Sequence, residues 1–221
     1  MIESILFDLD GTLLNTLNDL ADSVNHALSA HHFPTRPTAD IRRALGYGAH
    51  QLIKKSLPSD APDEQVDDTL ATFRGHYLIH QSDTTAPYPG IIHMLRQLHE
   101  EGFQTAIVSN KPDDAVQLLH RHFFQGLVNM AQGQTPSIRR KPAADMITAC
   151  MNRLHASTSS TIYVGDSEVD FQTARNAGIR CCLVTWGFRD REQLTALHPD
   201  LLCETPENII DFIHQQNHST R

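Results

Sequence analysis

The chain has 221 residues, a formal net charge of −8, 40% hydrophobic and 20% charged residues, which suits one α/β core with a modest insert, or two small soluble domains. The acidic balance argues against nucleic acid as a partner, since backbone phosphates demand a concentrated basic surface and Arg139-Arg140-Lys141 is too short to be an arm. No apolar run approaches the ~18 residues of a membrane span, and no basic region precedes an apolar one at the N-terminus, so a cytoplasmic protein without membrane association or signal peptide is expected.

The first expected element is a strand over Ser4–Leu9, whose near-continuous apolar run suits a parallel strand buried on both faces. Helical spacing follows at Leu17, Leu20, Ala21, Val24, Ala27 and Leu28, until Phe33-Pro34-Thr35-Arg36-Pro37 breaks it. Thr38 or Asp40 is a candidate cap for further helix to about Leu57, and another helix is expected from Asp63 to Ile79. Pro87-Tyr88-Pro89-Gly90 punctuates the chain, after which helix and strand alternate: helix Ile91–Glu101, strand Thr105–Ser109, helix Pro112–Phe123, strand Leu127–Met130, helix Pro142–Leu154, strand Thr161–Val164, helix Val169–Ala177 and strand Arg180–Val184. That alternation predicts a Rossmann-like three-layer α/β/α core with a parallel sheet. The domain reading is residues 1–14 plus 87–221 as the α/β core, with residues 15–86 as a helical cap inserted after the first strand and expected over the C-terminal sheet edge, where open α/β folds bind ligands.

Four cysteines (Cys150, Cys181, Cys182 and Cys203) lack CxxC spacing and read as reduced, buried thiols; adjacent Cys181 and Cys182 on a strand would face opposite sides. The 14 histidines are scattered, form no HExxH pattern and read as solvent-facing helix residues.

Four motifs fall at the ends of expected strands. Asp8-Leu9-Asp10-Gly11-Thr12 sets two carboxylates two residues apart at a turn, one able to attack phosphorus and the other to handle the leaving oxygen's proton. Ser109-Asn110-Lys111 offers a hydroxyl and backbone N–H groups for phosphate oxygens, although Asn110 before Pro112 also fits a helix cap. Lys141 before Pro142 can offset phosphate charge and steady the nucleophile. In Gly165-Asp166-Ser167-Glu168-Val169-Asp170 the acids can complete an octahedral oxygen site for Mg²⁺ with Asp8 and a backbone carbonyl, and Asp170 lies one helical turn beyond Asp166.

In order and spacing these motifs resemble the haloacid-dehalogenase-like hydrolase superfamily, with DLDGT, SN, KP and GDSEVD as its four signatures. The resemblance spans nearly the whole chain. DLDGTLLNTLNDL, Ile41-Arg42-Arg43-Ala44-Leu45-Gly46 and GDSEVDFQTARNAG are most similar to the phosphoglycolate phosphatase branch. It implies that Asp8 forms an aspartyl-phosphate. Asp10 then protonates the leaving alkoxide and activates water, and Mg²⁺ is held by Asp8, the Asp10 carbonyl and Asp166. By the same resemblance Ser109 and Asn110 bind phosphate, Lys141 neutralises charge, and Asp170 orders the metal's water or Lys141. Asn15 stands where the family often has Asp.

The expected substrate is a small phosphorylated metabolite, best matched by phosphoglycolate, with Arg42 the candidate for its carboxylate and a monomer or homodimer the expected assembly. A phosphosugar mutase, a pyrophosphatase and a non-catalytic binding member are the competing readings, and retention of Asp10 disfavours dehalogenation. Electrostatics agrees: two unit negative charges ~4 Å apart repel by about 4 kcal/mol at an effective dielectric near 20, so cations must stand between nucleophile and ester.

Overall fold

The computed structural model describes residues 1–219. The chain divides into two compact units, Met1–Leu14 with Pro87–Arg221, and Asn15–Ala86. In chain order the elements are β1 (Ser4–Phe7), β2 (Leu14–Asn15), α1 (Leu17–Ala30), α2 (Thr38–Ala44), α3 (Ala49–Ser56), α4 (Asp63–His80) and β3 (Ala86–Pro87). Then come α5 (Ile91–Glu100), β4 (Gln104–Pro112), α6 (Asp113–Leu119) with a π-helical turn His120–Phe124, β5 (Met130–Gln134) and α7 (Asp145–Leu154). The chain closes with β6 (Thr161–Gly165), α8 (Glu168–Ala177), β7 (Arg180–Val184), α9 (Arg191–Thr195), β8 (Leu201–Cys203) and α10 (Pro206–His218).

The first unit is built on a six-stranded sheet in the order β5-β4-β1-β6-β7-β8, and every pairing in it is parallel. Alternation along β1 sends Ile5 and Phe7 into one apolar layer with Ile91, Leu95, Val116 and Ile213, and Leu6 into the other with Met146, Ile147 and Ala174. Helices α5, α6 and α10 therefore cover one face and α7 and α8 the other. Cys182 and Cys181 part between the same two layers, and all four cysteines are buried and unpaired. Because β1 is central and the chain builds outward from it on both sides, the C-terminal ends of β1, β4 and β6 lie side by side where the winding reverses.

Several boundaries differ from the sequence reading. α2 begins at Thr38 with Pro37 as its cap and no capping side chain, so neither Thr38 nor Asp40 has that role. β4 runs on through Pro112, which places Asn110 inside a strand rather than at a helix cap. β5 starts at Met130, because the N–H groups of Leu127 and Val128 turn back onto the Phe124 carbonyl. Residues before Asp145 form a turn closed by Ala143 N–H to Arg140 O, which delays α7. β8, α9 and α10 lie beyond the last element expected from the sequence.

The second unit holds α1–α4. Asp19 on α1 accepts hydrogen bonds from the Thr84 and Thr85 N–H groups and the Thr84 hydroxyl. Burial pushes its carboxyl pKa up, but these donors outweigh that and leave it below the usual carboxylate range. Nearby, the imidazoles of His26 (α1), His76 and His80 (α4) stack in a column, with ring centroids 4.0 and 4.2 Å apart. Ser23 Oγ meets His76 Nδ1 at 3.0 Å, and His80 Nδ1 meets Asp83 Oδ2 at 2.7 Å. Burial, and then the flanking His26 and His80, hold His76 below its ordinary pKa of 6.5 against the opposing pull of Asp83 and Asp22.

A depressed imidazole pKa means that the unfolded chain binds the proton more tightly. Its contribution to stability is therefore lost as pH falls through about 6.5. Urea unfolding is expected to show that the stability of the wild-type chain relative to His76→Gln is smaller at pH 5.5 than at pH 7.5.

Candidate active site

Asp8 follows β1 directly, and its N–H is tied to the Val164 carbonyl of β6 at 2.8 Å. The next turn depends on Gly11, whose φ of +87° favours glycine and whose added Cβ would lie 2.4 Å from Asp166 Oδ2. Gly187 is equally constrained, since a Cβ there would lie 2.3 Å from that of Asp166. Backbone thus closes around the Asp166 carboxyl from two sides, and its Oδ2 accepts a 2.6 Å hydrogen bond from the Phe188 N–H.

Lys141 is the centre of the site, with its side chain only 3% exposed. Its Nζ donates to Asp8 Oδ1 at 2.6 Å, Asp170 Oδ1 at 2.7 Å and Tyr163 OH at 2.9 Å. Burial alone would lower its pKa, but Asp170 and Asp8 overcome that and hold it well above the ordinary lysine value, so the ammonium stays charged. The loop carrying it is docked by Asn110, whose side-chain amide donates to the Lys141 carbonyl at 3.0 Å and accepts from the Lys141 N–H at 2.7 Å.

Asp170 holds two structures at once. Its Oδ2 accepts from Ser167 Oγ at 2.6 Å and from the Ser167 and Asp166 N–H groups at 3.1 and 3.2 Å. This is the capping box of α8, with Ser167 as the cap. Since Asp170 Oδ1 takes Lys141, both of its oxygens are engaged, which suits it to orienting the lysine rather than to direct metal ligation.

Tyr163 and Ser167 were not singled out from the sequence. A tyrosine in a strand buried on both faces carries a hydroxyl that needs a partner, and that was the available signal. Its hydroxyl lies 3.0 Å from the Val108 carbonyl and 3.2 Å from Asp170 Oδ1, besides accepting from Lys141.

Carboxyl oxygens of Asp8, Asp166 and Asp170 lie within 4.8 Å of one another. Burial, offset in part by Lys141 and reinforced by Asp170 and Asp10, pushes the Asp8 carboxyl up to about 7. Burial, then Asp170 and Asp8, raises Asp166 well above the carboxylate range despite the Phe188 N–H and Arg189. Both shifts report first the cost of burying these carboxylates and then that of crowding them without a further cation. The donors are hard oxygens, as Mg²⁺ prefers, and with Asp170 engaged the pair fitted to hold it is Asp8 and Asp166.

Asp10 lies at the same strand end, with Lys111 Nζ 3.0 Å from its Oδ1. Ser109 is buried within β4, and its Oγ accepts from the Lys111 N–H at 3.3 Å. Asp8, Asp10, Ser109, Asn110, Lys141, Asp166 and Asp170 all belong to the α/β unit, whereas Arg42 is on α2 of the helical unit.

The sequence profile of the haloacid dehalogenase-like hydrolases matches residues 5–184. The chain belongs to that family. A phosphoglycolate phosphatase from Mesorhizobium japonicum is 32% identical over 196 residues, covering 85% of this chain and 84% of the relative. A pyrophosphatase, PpaX, from Halalkalibacterium halodurans is 28% identical and covers 96% of this chain and 97% of the relative. A solved structure from Lactobacillus delbrueckii subsp. bulgaricus, described as a candidate phosphoglycolate phosphatase, has a TM-score of 0.90 at 31% identity and covers 96% of this chain and 98% of that one. Within the haloacid dehalogenase-like hydrolases the chain sits in the phosphoglycolate-phosphatase-like branch, and it is an enzyme of the phosphatase kind.

The raised Asp8 carboxyl gives a testable sign. Its folded value near 7 exceeds the ordinary 3.8, so the folded, metal-free state keeps a proton that the unfolded chain has lost. The Asp8 contribution to stability should fall as pH climbs from about 4 through 7. Asp8→Asn removes that penalty, so its stabilising effect in chelator is expected to be larger at pH 8 than at pH 5, measured by urea unfolding.

Proposed function

We propose that this haloacid dehalogenase-like hydrolase is a Mg²⁺-dependent phosphatase that cleaves a small phosphorylated metabolite, phosphoglycolate in first place, through an aspartyl-phosphate on Asp8. The observation that carries the reading is the buried Lys141 ammonium, 2.6 Å from Asp8 Oδ1. A fixed cation beside a carboxylate at the end of a central strand lets an anionic nucleophile approach an anionic ester.

An Asp8 oxygen attacks phosphorus, the bond from phosphorus to the leaving oxygen breaks, and that oxygen takes its electron pair together with a proton from Asp10. Asp10, now ionised, takes a proton from water as the water oxygen attacks phosphorus, releasing inorganic phosphate and restoring Asp8. Asp8, Asp166 and the Asp10 carbonyl would hold Mg²⁺, which when bound supplies positive charge to the phosphoryl oxygens. Ser109 and Asn110 take phosphate oxygens, and Lys141 neutralises charge while Asp170 orients it. Residues 15–86 serve as the cap of a core made by residues 1–14 and 87–221, and Arg42 is assigned the substrate carboxylate. The enzyme is cytoplasmic and works as a monomer or homodimer.

Pyrophosphate is a second candidate substrate, because the Halalkalibacterium halodurans relative named a pyrophosphatase matches over 96% of this chain. Phosphate release from a panel of phosphorylated metabolites and pyrophosphate, with Mg²⁺ or with chelator, tests the reading. Phosphoglycolate is expected to give the highest kcat/KM, and chelator or Asp8→Asn to remove activity. Preference for pyrophosphate would move the substrate assignment, and hydrolysis unaffected by chelator or by Asp8→Asn would contradict the mechanism.

A further inference from the structure

We propose that Lys111 is a positioning residue that holds the Asp10 carboxyl in line for proton transfer to the leaving oxygen. The proposal rests on the reading of Asp10 as the proton carrier. Lys111 comes from a distorted stretch of β4: Val108 pairs with Gln132 and Pro112 with Gln134, so four steps along β4 match two along β5. Such an irregularity re-aims side chains locally. Here it accompanies a lysine whose side chain is only 3% exposed and whose Nζ lies 3.0 Å from Asp10 Oδ1. Burying an ammonium is costly unless a negative group compensates it.

The partner oxygen carries a second, independent mark. Asp10 Oδ1 is buried, yet it accepts no hydrogen bond of proper geometry within the described residues. It is therefore held by charge while its hydrogen-bonding direction stays open, the condition needed by a group that must meet a proton or a hydroxyl. The two buried lysines divide the carboxylates between them, Lys141 contacting Asp8 and Asp170 and Lys111 contacting Asp10. In the first step the bond from phosphorus to the leaving oxygen breaks as that of phosphorus to Asp8 forms, and Asp10 passes its proton to the departing oxygen. Lys111 forms no bond in this step and only restricts where Asp10 stands.

Leaving-group dependence separates this role from a structural or phosphate-binding one. kcat/KM covers steps through release of the alcohol. It should be measured for an alkyl phosphate such as phosphoglycolate, whose leaving oxygen needs a proton, and for 4-nitrophenyl phosphate, whose phenolate leaves without one. Lys111→Gln is expected to lower kcat/KM for the alkyl ester by about 100-fold, the lower range for a general acid, and for the nitrophenyl ester by less than about 3-fold, with Lys111→Arg restoring most of the loss. Equal losses on both esters, or no loss on either, would overturn the proposal. Should Lys111→Gln fail to fold by circular dichroism, Lys111→Arg and Lys111→Met are compared on the same ratio of esters. Asp10→Asn serves as the reference: if it shows no leaving-group preference, the reading of Asp10 fails; if it does and the Lys111 variants do not, the Lys111 proposal fails alone.

Discussion

The buried ammonium of Lys141 is the contact on which the site depends. Among the described residues it touches Asp8, Asp170 and a tyrosine hydroxyl within 3 Å. A buried ion pair adds little net stability, but removing one partner commonly costs about 3–5 kcal/mol because the other charge is stranded. The arrangement thus persists because its members hold one another, and it keeps the Asp8 carboxylate from being fully neutralised by its surroundings. It also leaves the Asp8 carboxyl raised to about 7, so the group is poised to gain from any further positive charge.

The fold supplies this contact through strand ends. Parallel strands with both faces buried deliver β1, β4 and β6 to one edge, where their polar termini meet without opening the core. Local devices then fix each group. Ser167 caps α8 and fastens Asp170, Asn110 clasps the Lys141 peptide, and glycine at 11 and 187 lets backbone crowd Asp166. Each device also has a structural duty, so the chemistry and the stability of this region are difficult to separate by substitution.

The parallel-sheet architecture was legible because helix and strand periodicities alternate at βαβ spacing, and because Ile5-Leu6-Phe7 reads as a strand buried on both sides. The acidic motifs were legible because Asp8 and Asp166 directly follow β1 and β6. What escaped the sequence reading depends on tertiary contact. Nothing local says that Asn110 would reach across 31 residues to Lys141 rather than cap a helix. The hydroxyl of Tyr163 looked like part of an apolar strand, and the role of Lys111 depends on a register shift that appears only once β4 and β5 pair. β8 is too short for periodicity to define, whereas α10 carries helical signals in the sequence, a Thr205 cap with Pro206 in its first turn and Ile209, Ile210 and Ile213 on one face. The histidine column likewise requires α1 and α4 to be side by side.

The most direct test of the account is to find the atom that receives the phosphoryl group. The enzyme should be quenched during turnover with substrate and Mg²⁺, reduced with borohydride, which converts an aspartyl-phosphate to homoserine, and mapped by peptide mass spectrometry. The account predicts homoserine at position 8, absent without substrate and absent in Lys141→Met. Homoserine at position 10 or 166, or turnover with no reducible intermediate, would contradict it.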